Sequence, residues 1–233
     1  YFRLMASMRV LRFNIPDSFT PEFLKNEILK LHSKSNLGLN LRIRITVFRN
    51  SSGRYKPITN DVGYIINIDR IEDLKYFIEE KEVKVDLYKD YFISNQLVHS
   101  IKSNNKSINV LASIYASEND LDNCILLNDK KMVCEFINGN LFYIKNEKIY
   151  TPDLKSGCLN GVLRKNLINI IKSNGLVIEE SQISPFDLVS ADELFITNVI
   201  QGILPVTNYR KKTYVNKTAI ILNNLLNDSI NYN

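Results

Sequence analysis

The hydrophobic period of the chain switches between helical and strand spacing, and that switching decides the class of fold. Residues 2–13 put apolar side chains at Leu4, Met8 and Leu11, which is helical spacing. Ser18 and Thr20, followed by Pro21 and Glu22, predict the start of a second helix running to about Leu31, with Leu24, Ile28 and Leu31 on its apolar face. From Leu41 the period becomes two. Leu41, Ile43, Ile45 and Val47 alternate with Arg42, Arg44, Thr46 and Phe48, the mark of a half-buried strand. Asn50-Ser51-Ser52-Gly53 predicts a turn. Residues 62–68 predict a second strand, and Val83, Val85 and Leu87, alternating with Lys84, Asp86 and Tyr88, a third. Helices packed on a small sheet are expected for this part, and the polar stretch 89–95 reads as a connection.

The rest of the chain repeats the mixture. A polar loop around Lys102 leads to a helix with Ile108, Leu111, Ala112 and Tyr115 on one face. Strands are predicted at 124–127, 132–136 and 141–144, separated by the turn residues Asp129-Lys130 and Asn138-Gly139. Residues 157–161 lead into a helix whose apolar face is Leu163, Leu167, Ile170 and Ile171. Strands at 176–180 and 193–197 and a last helix at 218–226 complete the pattern. The class is α+β, with a small α/β domain at 1–88, a connection at 89–97, and a larger domain at 98–233 whose core is mainly β and flanked by helices.

Composition removes several function classes. Hydrophobic residues make up 45%, enough for a real core, but no apolar run reaches membrane-spanning length. The net charge of +5 comes from 30 basic and 25 acidic residues spread along the chain, without the basic stripe of a nucleic-acid binder. Arg210-Lys211-Lys212 reads as a solvated turn, and the mild positive field suits an anionic small molecule. Two histidines, His32 and His99, are too thin a supply for a histidine-based metal site. The three cysteines have no metal-knuckle spacing, and Cys124 and Cys134 stand in apolar runs. Reduced thiols and a cytoplasmic location are the expectation. The opening YFRLMASMRVLRF reads as the interior of a helix, so a preceding segment is expected.

Six stretches, in order, carry a resemblance. They are RLMAS at 3–7, RITVFRNSSGRYKP at 44–57, IKSNN at 101–105, VCEFINGNLFYIK at 133–145, TPDLKSGCLNGVLR at 151–164 and ADELFITNVIQGILPV at 191–206. Each alone is weak to moderate. Together, at family spacing over almost the whole chain, they resemble the class IV aminotransferase family, the fold-type IV enzymes that use pyridoxal 5'-phosphate (PLP).

That resemblance implies a set of roles. PLP presents an aldehyde, a pyridine nitrogen and a phosphate, and a protein must hold and tune each one. Lys102 is implied as the amine that joins the aldehyde and later shuttles protons. Taken alone, this lysine would read as a solvated surface charge. Glu135 is implied as the carboxylate that keeps the ring nitrogen protonated. In an apolar strand such a group is costly unless paired. The phosphate is implied to sit on backbone N–H groups at Gly161, Val162 and Leu163, where a helix opens, with Asn198 and Val199 as a second contact and Arg3 as a cation. Arg44, Arg49 and Tyr55 are implied to surround the substrate carboxylate. A homodimer, and a small substrate bearing an amine and a carboxylate, are implied as well.

Two departures from the transaminase pattern point within the family. Ser107 stands five positions after Lys102, where transaminases often carry tyrosine. TNVIQGILPV is also more similar to the TNSLMGIxPV of aminodeoxychorismate lyases than to the GTAAEITPV of branched-chain transaminases, though Val199 and Gln201 differ from it. The expectation is therefore a 4-amino-4-deoxychorismate lyase of folate synthesis. The alternatives are a branched-chain or D-amino-acid aminotransferase and, from another class, a cofactor-free relative that binds a ligand or serves as a structural subunit.

Overall fold

A computed structural model describes residues 1–230. It divides into two compact units, Tyr1–Leu74 and Lys75–Asn233. The last three residues of the expected large domain lie outside the described ones.

In the first unit, α1 (Phe2–Val10) and α2 (Pro21–Ser33) precede the antiparallel pair β1 (Leu41–Arg49) and β2 (Val62–Arg70). α2 starts where the sequence predicts, because Thr20 Oγ1 accepts the Phe23 N–H at 3.1 Å and Pro21 occupies the first turn. The register Ile45↔Ile66 and Val47↔Tyr64 puts Ile45, Val47, Val62 and Tyr64 against Met5, Met8, Phe19 and Leu24. Pleating sends Arg42, Arg44, Thr46 and Phe48 to the opposite face.

The second unit contains β3 (Lys84–Ile93), α3 (Leu97–Ser100), α4 (Ser107–Glu118), β4 (Asn123–Asn128), β5 (Val133–Phe136), β6 (Asn140–Lys145), β7 (Lys148–Pro152) and α5 (Val162–Ser173). β8 (Ile178–Ser181), α6 (Pro185–Val189), β9 (Glu193–Asn198), β10 (Gly202–Pro205), β11 (Asn208–Tyr209), β12 (Lys212–Thr213) and α7 (Lys217–Asp228) follow. They form two five-stranded sheets, ordered β10-β9-β6-β7-β8 and β12-β11-β3-β4-β5. Leu87, Ile125, Leu127, Val133 and Phe136 of one sheet meet Leu141, Tyr143, Leu194 and Ile196 of the other in a shared core. The outer faces are covered too. α5 and α7 bury Leu167, Ile171, Leu222 and Leu226 on Phe142 and Phe195, while α4 buries Ala112 and Ala116 on Cys124, Leu126 and Cys134. Strands covered on both faces lose polar alternation, which is why residues 124–127 read Cys-Ile-Leu-Leu.

The expected boundary at residue 88 is corrected. Residues 84–93 form β3, which pairs in parallel with β4 and β11 inside the second unit, so the division falls at Leu74/Lys75. The polar letters at 89–92 are the exposed end of that strand rather than a connection.

Candidate active site

Glu135 lies on β5, opposite Leu126, beside an irregularity in the β4–β5 register. Its side chain is only 7% exposed. Oε2 accepts the Leu159 N–H at 2.8 Å, and Oε1 stands 3.8 Å from Lys106 Nζ. Burial raises its carboxyl above the usual range; the Lys106 ammonium, the Leu159 N–H and the Lys102 ammonium each pull the other way, and burial wins. Lys102, in the bend between α3 and α4, is thus near enough for its charge to be felt at Glu135. A cleft of about 110 Å³ opens at this corner, lined in part by His99, Asn105, Lys106 and Ser107.

The loop before α5 is tied to the same carboxylate. Leu159 gives its N–H to Glu135, and its carbonyl accepts from Asn140 Nδ2 at 2.8 Å and from the Gly161 N–H at 2.8 Å. Gly161 then caps α5 in an extended conformation with no side-chain cap, so the first N–H groups of the helix, on Val162 and Leu163, are left to an outside acceptor. A Cβ at Gly161 would run into Asn140 Oδ1, so the Asn140 side chain would have to shift to admit any other residue. Arg164 fixes the start of the helix from below, donating from Nη2 to Pro152 O at 2.8 Å and to Glu180 Oε2 at 2.7 Å.

At the β9–β10 turn, Asn198 Oδ1 accepts from the N–H groups of Ile200 and Gln201, and its amide donates to Gln201, so the side chain is spent on the turn. Val199 is exposed, and its carbonyl accepts from Tyr76 Oη at 2.9 Å. Next to it, Thr197 Oγ1 is buried without a hydrogen-bond partner among the described residues.

The residues fit PLP on these observations: a buried carboxylate with one oxygen facing charge rather than a bonded donor, a nearby lysine, an uncapped helix start, and an orphaned hydroxyl one residue from the β9–β10 turn. Lys106, Leu159, Asn140 and Thr197 are the additions to the expected set. Asn140 and Thr197 were visible as letters of the matched stretches, whereas Lys106 carried no signal of its own.

The remaining expected residues belong to the first unit. Arg3 is half-buried on α1, and burial lowers its pKa. Arg44 lies on the face of β1 away from the helices, across from Asn67. Tyr55 is fully exposed. Arg49 is engaged internally: Nε donates to Asn60 Oδ1 at 2.8 Å, Nη2 donates to Leu11 O at 2.6 Å, and the guanidinium lies over the Phe13 ring. Its geometry is that of a strut between α1 and the sheet.

A double-sheet unit with a buried carboxylate beside lysine charge, tied through Leu159 to an uncapped helix start, has groups that could hold a phosphorylated, nitrogen-bearing cofactor. The chain belongs to the amino-transferase class IV family, which matches residues 1–209. This is a family of PLP-dependent enzymes, as the order of motifs implied. The chain is 26% identical to an aminodeoxychorismate lyase of Vibrio harveyi over 88% of its own length and 74% of that protein. It is 34% identical to a D-alanine aminotransferase of Bacillus licheniformis over 48% of its length and 40% of that protein. In fold it is similar to the PLP-bound holo form of a branched-chain amino acid aminotransferase from Thermobaculum terrenum, with a TM-score of 0.84 and 20% identity over 96% of this chain and 74% of that one. Among the described residues, no helix is long and apolar enough to cross a membrane.

Proposed function

We propose that this chain binds PLP through Lys102 and converts 4-amino-4-deoxychorismate into 4-aminobenzoate and pyruvate. The observation that carries the cofactor assignment is the tie at Leu159, which joins the buried Glu135 carboxylate to the loop leading into the α5 helix start. PLP supplies an electron sink for bonds at the amine-bearing carbon of a substrate. The protein's part is to hold and to move protons. Glu135 holds a proton at the ring nitrogen, because a buried carboxylate there favours a cation. The N–H groups of Val162 and Leu163 receive the phosphate, with the backbone at Asn198 and Val199 as a second contact. Lys102 takes the proton from the amine-bearing ring carbon and returns one to the methylene of the departing enolpyruvyl group.

The Arg3 guanidinium suits a phosphate, and Arg44 with Tyr55 suits a substrate carboxylate. Arg49 is left out, given its internal bonds. A homodimer is part of the proposal, and mass measurement in solution tests it.

Ser107 in the transaminase tyrosine position and the TNVIQGILPV segment favour the lyase. The identity to a D-alanine aminotransferase favours an amino-acid transaminase as the second reading. A substrate panel on PLP-loaded protein separates them. Pyruvate and 4-aminobenzoate formed from aminodeoxychorismate without an amino acceptor support the lyase. Conversion to the pyridoxamine form by an L- or D-amino acid, with a 2-oxoacid released, overturns it.

A further inference from the structure

We propose that Lys106 is a positioning residue of the cofactor site, whose ammonium, 3.8 Å from Glu135 Oε1, favours the charged form of that carboxylate against its burial and so readies it for a cationic ring nitrogen. The inference rests on the function proposed above. The two carboxylate oxygens differ in their surroundings. Oε2 is bonded to the Leu159 N–H, while Oε1 faces Lys106 Nζ at 3.8 Å, beyond hydrogen-bond reach. Lys106 therefore lends its charge without occupying the acceptor. The burial of the pair is also unequal, at 7% exposed for the Glu135 side chain and 29% for that of Lys106. The ammonium can keep some water, whereas the carboxylate depends on neighbouring cations.

The groups that face Glu135 are few. Cys134 on its own strand and Cys158 on the loop before α5 are thiols that burial holds neutral, Cys158 being pushed up to about 12. Lys102 and Lys106 supply the positive charge, Lys106 with the larger effect. Lys102 gives its amine to the carrier role, which leaves Lys106 as the standing charge of the two. A lysine at the start of α4 would otherwise read as a solvated cation at the less favourable end of a helix dipole, and its place beside a buried acid supplies the reason for it.

The test compares wild type, K106M and K106R in two measurements. In cofactor-free protein, carbon-13 NMR follows the titration of the Glu135 carboxyl. In a second experiment, PLP affinity is read from absorbance between pH 5.5 and 8.5, alongside a PLP analogue with carbon in place of the ring nitrogen. K106M should move the Glu135 titration to higher pH and weaken PLP by about tenfold at the acid end, an opposite charge at this distance having that order of effect. K106R should restore both, and the carbon analogue should bind wild type and K106M alike. An unmoved Glu135 titration in protein that binds PLP overturns the Lys106 inference alone. The same holds if K106R fails to rescue, or if the analogue is weakened as much as PLP. Failure of the wild type to take up PLP overturns the proposed function and the cofactor role of Lys106 with it.

Discussion

Replacing Glu135 with glutamine should stabilise the cofactor-free protein, and increasingly so as the pH rises. Burial raises the Glu135 carboxyl above its ordinary value of 4.5, despite Lys106, Leu159 and Lys102. A folded-state pKa above the unfolded one means that the native state keeps its proton to higher pH. That contribution to stability is complete below the unfolded value and is lost as the pH climbs through the folded one. Glutamine keeps the volume and can still accept the Leu159 N–H on its amide oxygen, bonded at 2.8 Å in the parent. Lys106 loses a partner, which costs up to about 1 kcal/mol for a group that water reaches. Removing a buried charge returns several kcal/mol, most of it already offset by the partners. A net gain of about 1 kcal/mol at pH 8 is expected, equivalent to about 2–4 °C in Tm for a unit of this size. Thermal and urea unfolding of both proteins from pH 4 to 8, without cofactor, is the assay. A difference near zero at pH 4 that grows with pH fits the argument. A variant less stable than wild type at pH 8, or a gap independent of pH, refutes it.

Other expectations follow from the same corner of the molecule. R164M removes the bonds to Pro152 O and Glu180 and should cost about 2 kcal/mol in urea unfolding, below the usual loss for a broken buried pair because Glu180 can rehydrate. G161A pushes against Asn140 Oδ1 and should weaken PLP by roughly fivefold, about 1 kcal/mol, with an unchanged far-ultraviolet spectrum; unaltered affinity would detach the α5 start from the phosphate. Cys124 and Cys158, with thiols pushed up to about 12, should react with a maleimide at pH 8 at least about a hundredfold more slowly in native than in urea-unfolded protein.

The parts of the fold that sequence exposed are those in which one face meets water. The β1 alternation and the α2 cap were legible because polar and apolar residues sort cleanly there. β3 was cut short because Lys89, Asp90 and Tyr91 point outward beyond its buried start. β7, β10 and the short strands β11 and β12 were not anticipated; at two to five residues each they offer too little periodicity to read, although β7, β10 and β12 each pair with the strand just before them in sequence. In the site, the motif letters carried more than one kind of information. Lys102 and Glu135 are chemical candidates, while Asn140 and Arg164 hold the Leu159–Gly161 loop and the start of α5. Glu193, in the ADELF stretch, accepts the Thr218 and Ala219 N–H groups and so caps α7. Such supports are as fixed in the pattern as reactive groups, and a string of letters does not separate them. Lys106 was beyond reach for the opposite reason. Its significance comes from a strand almost thirty residues away in sequence.

The central claim is that Lys102 carries the cofactor, and borohydride reduction of PLP-treated protein followed by peptide mass mapping tests it most directly. A phosphopyridoxyl group on the peptide containing Lys102, absent from K102A, is the predicted result. A stoichiometric label on another lysine, or no label with PLP in excess, would contradict it.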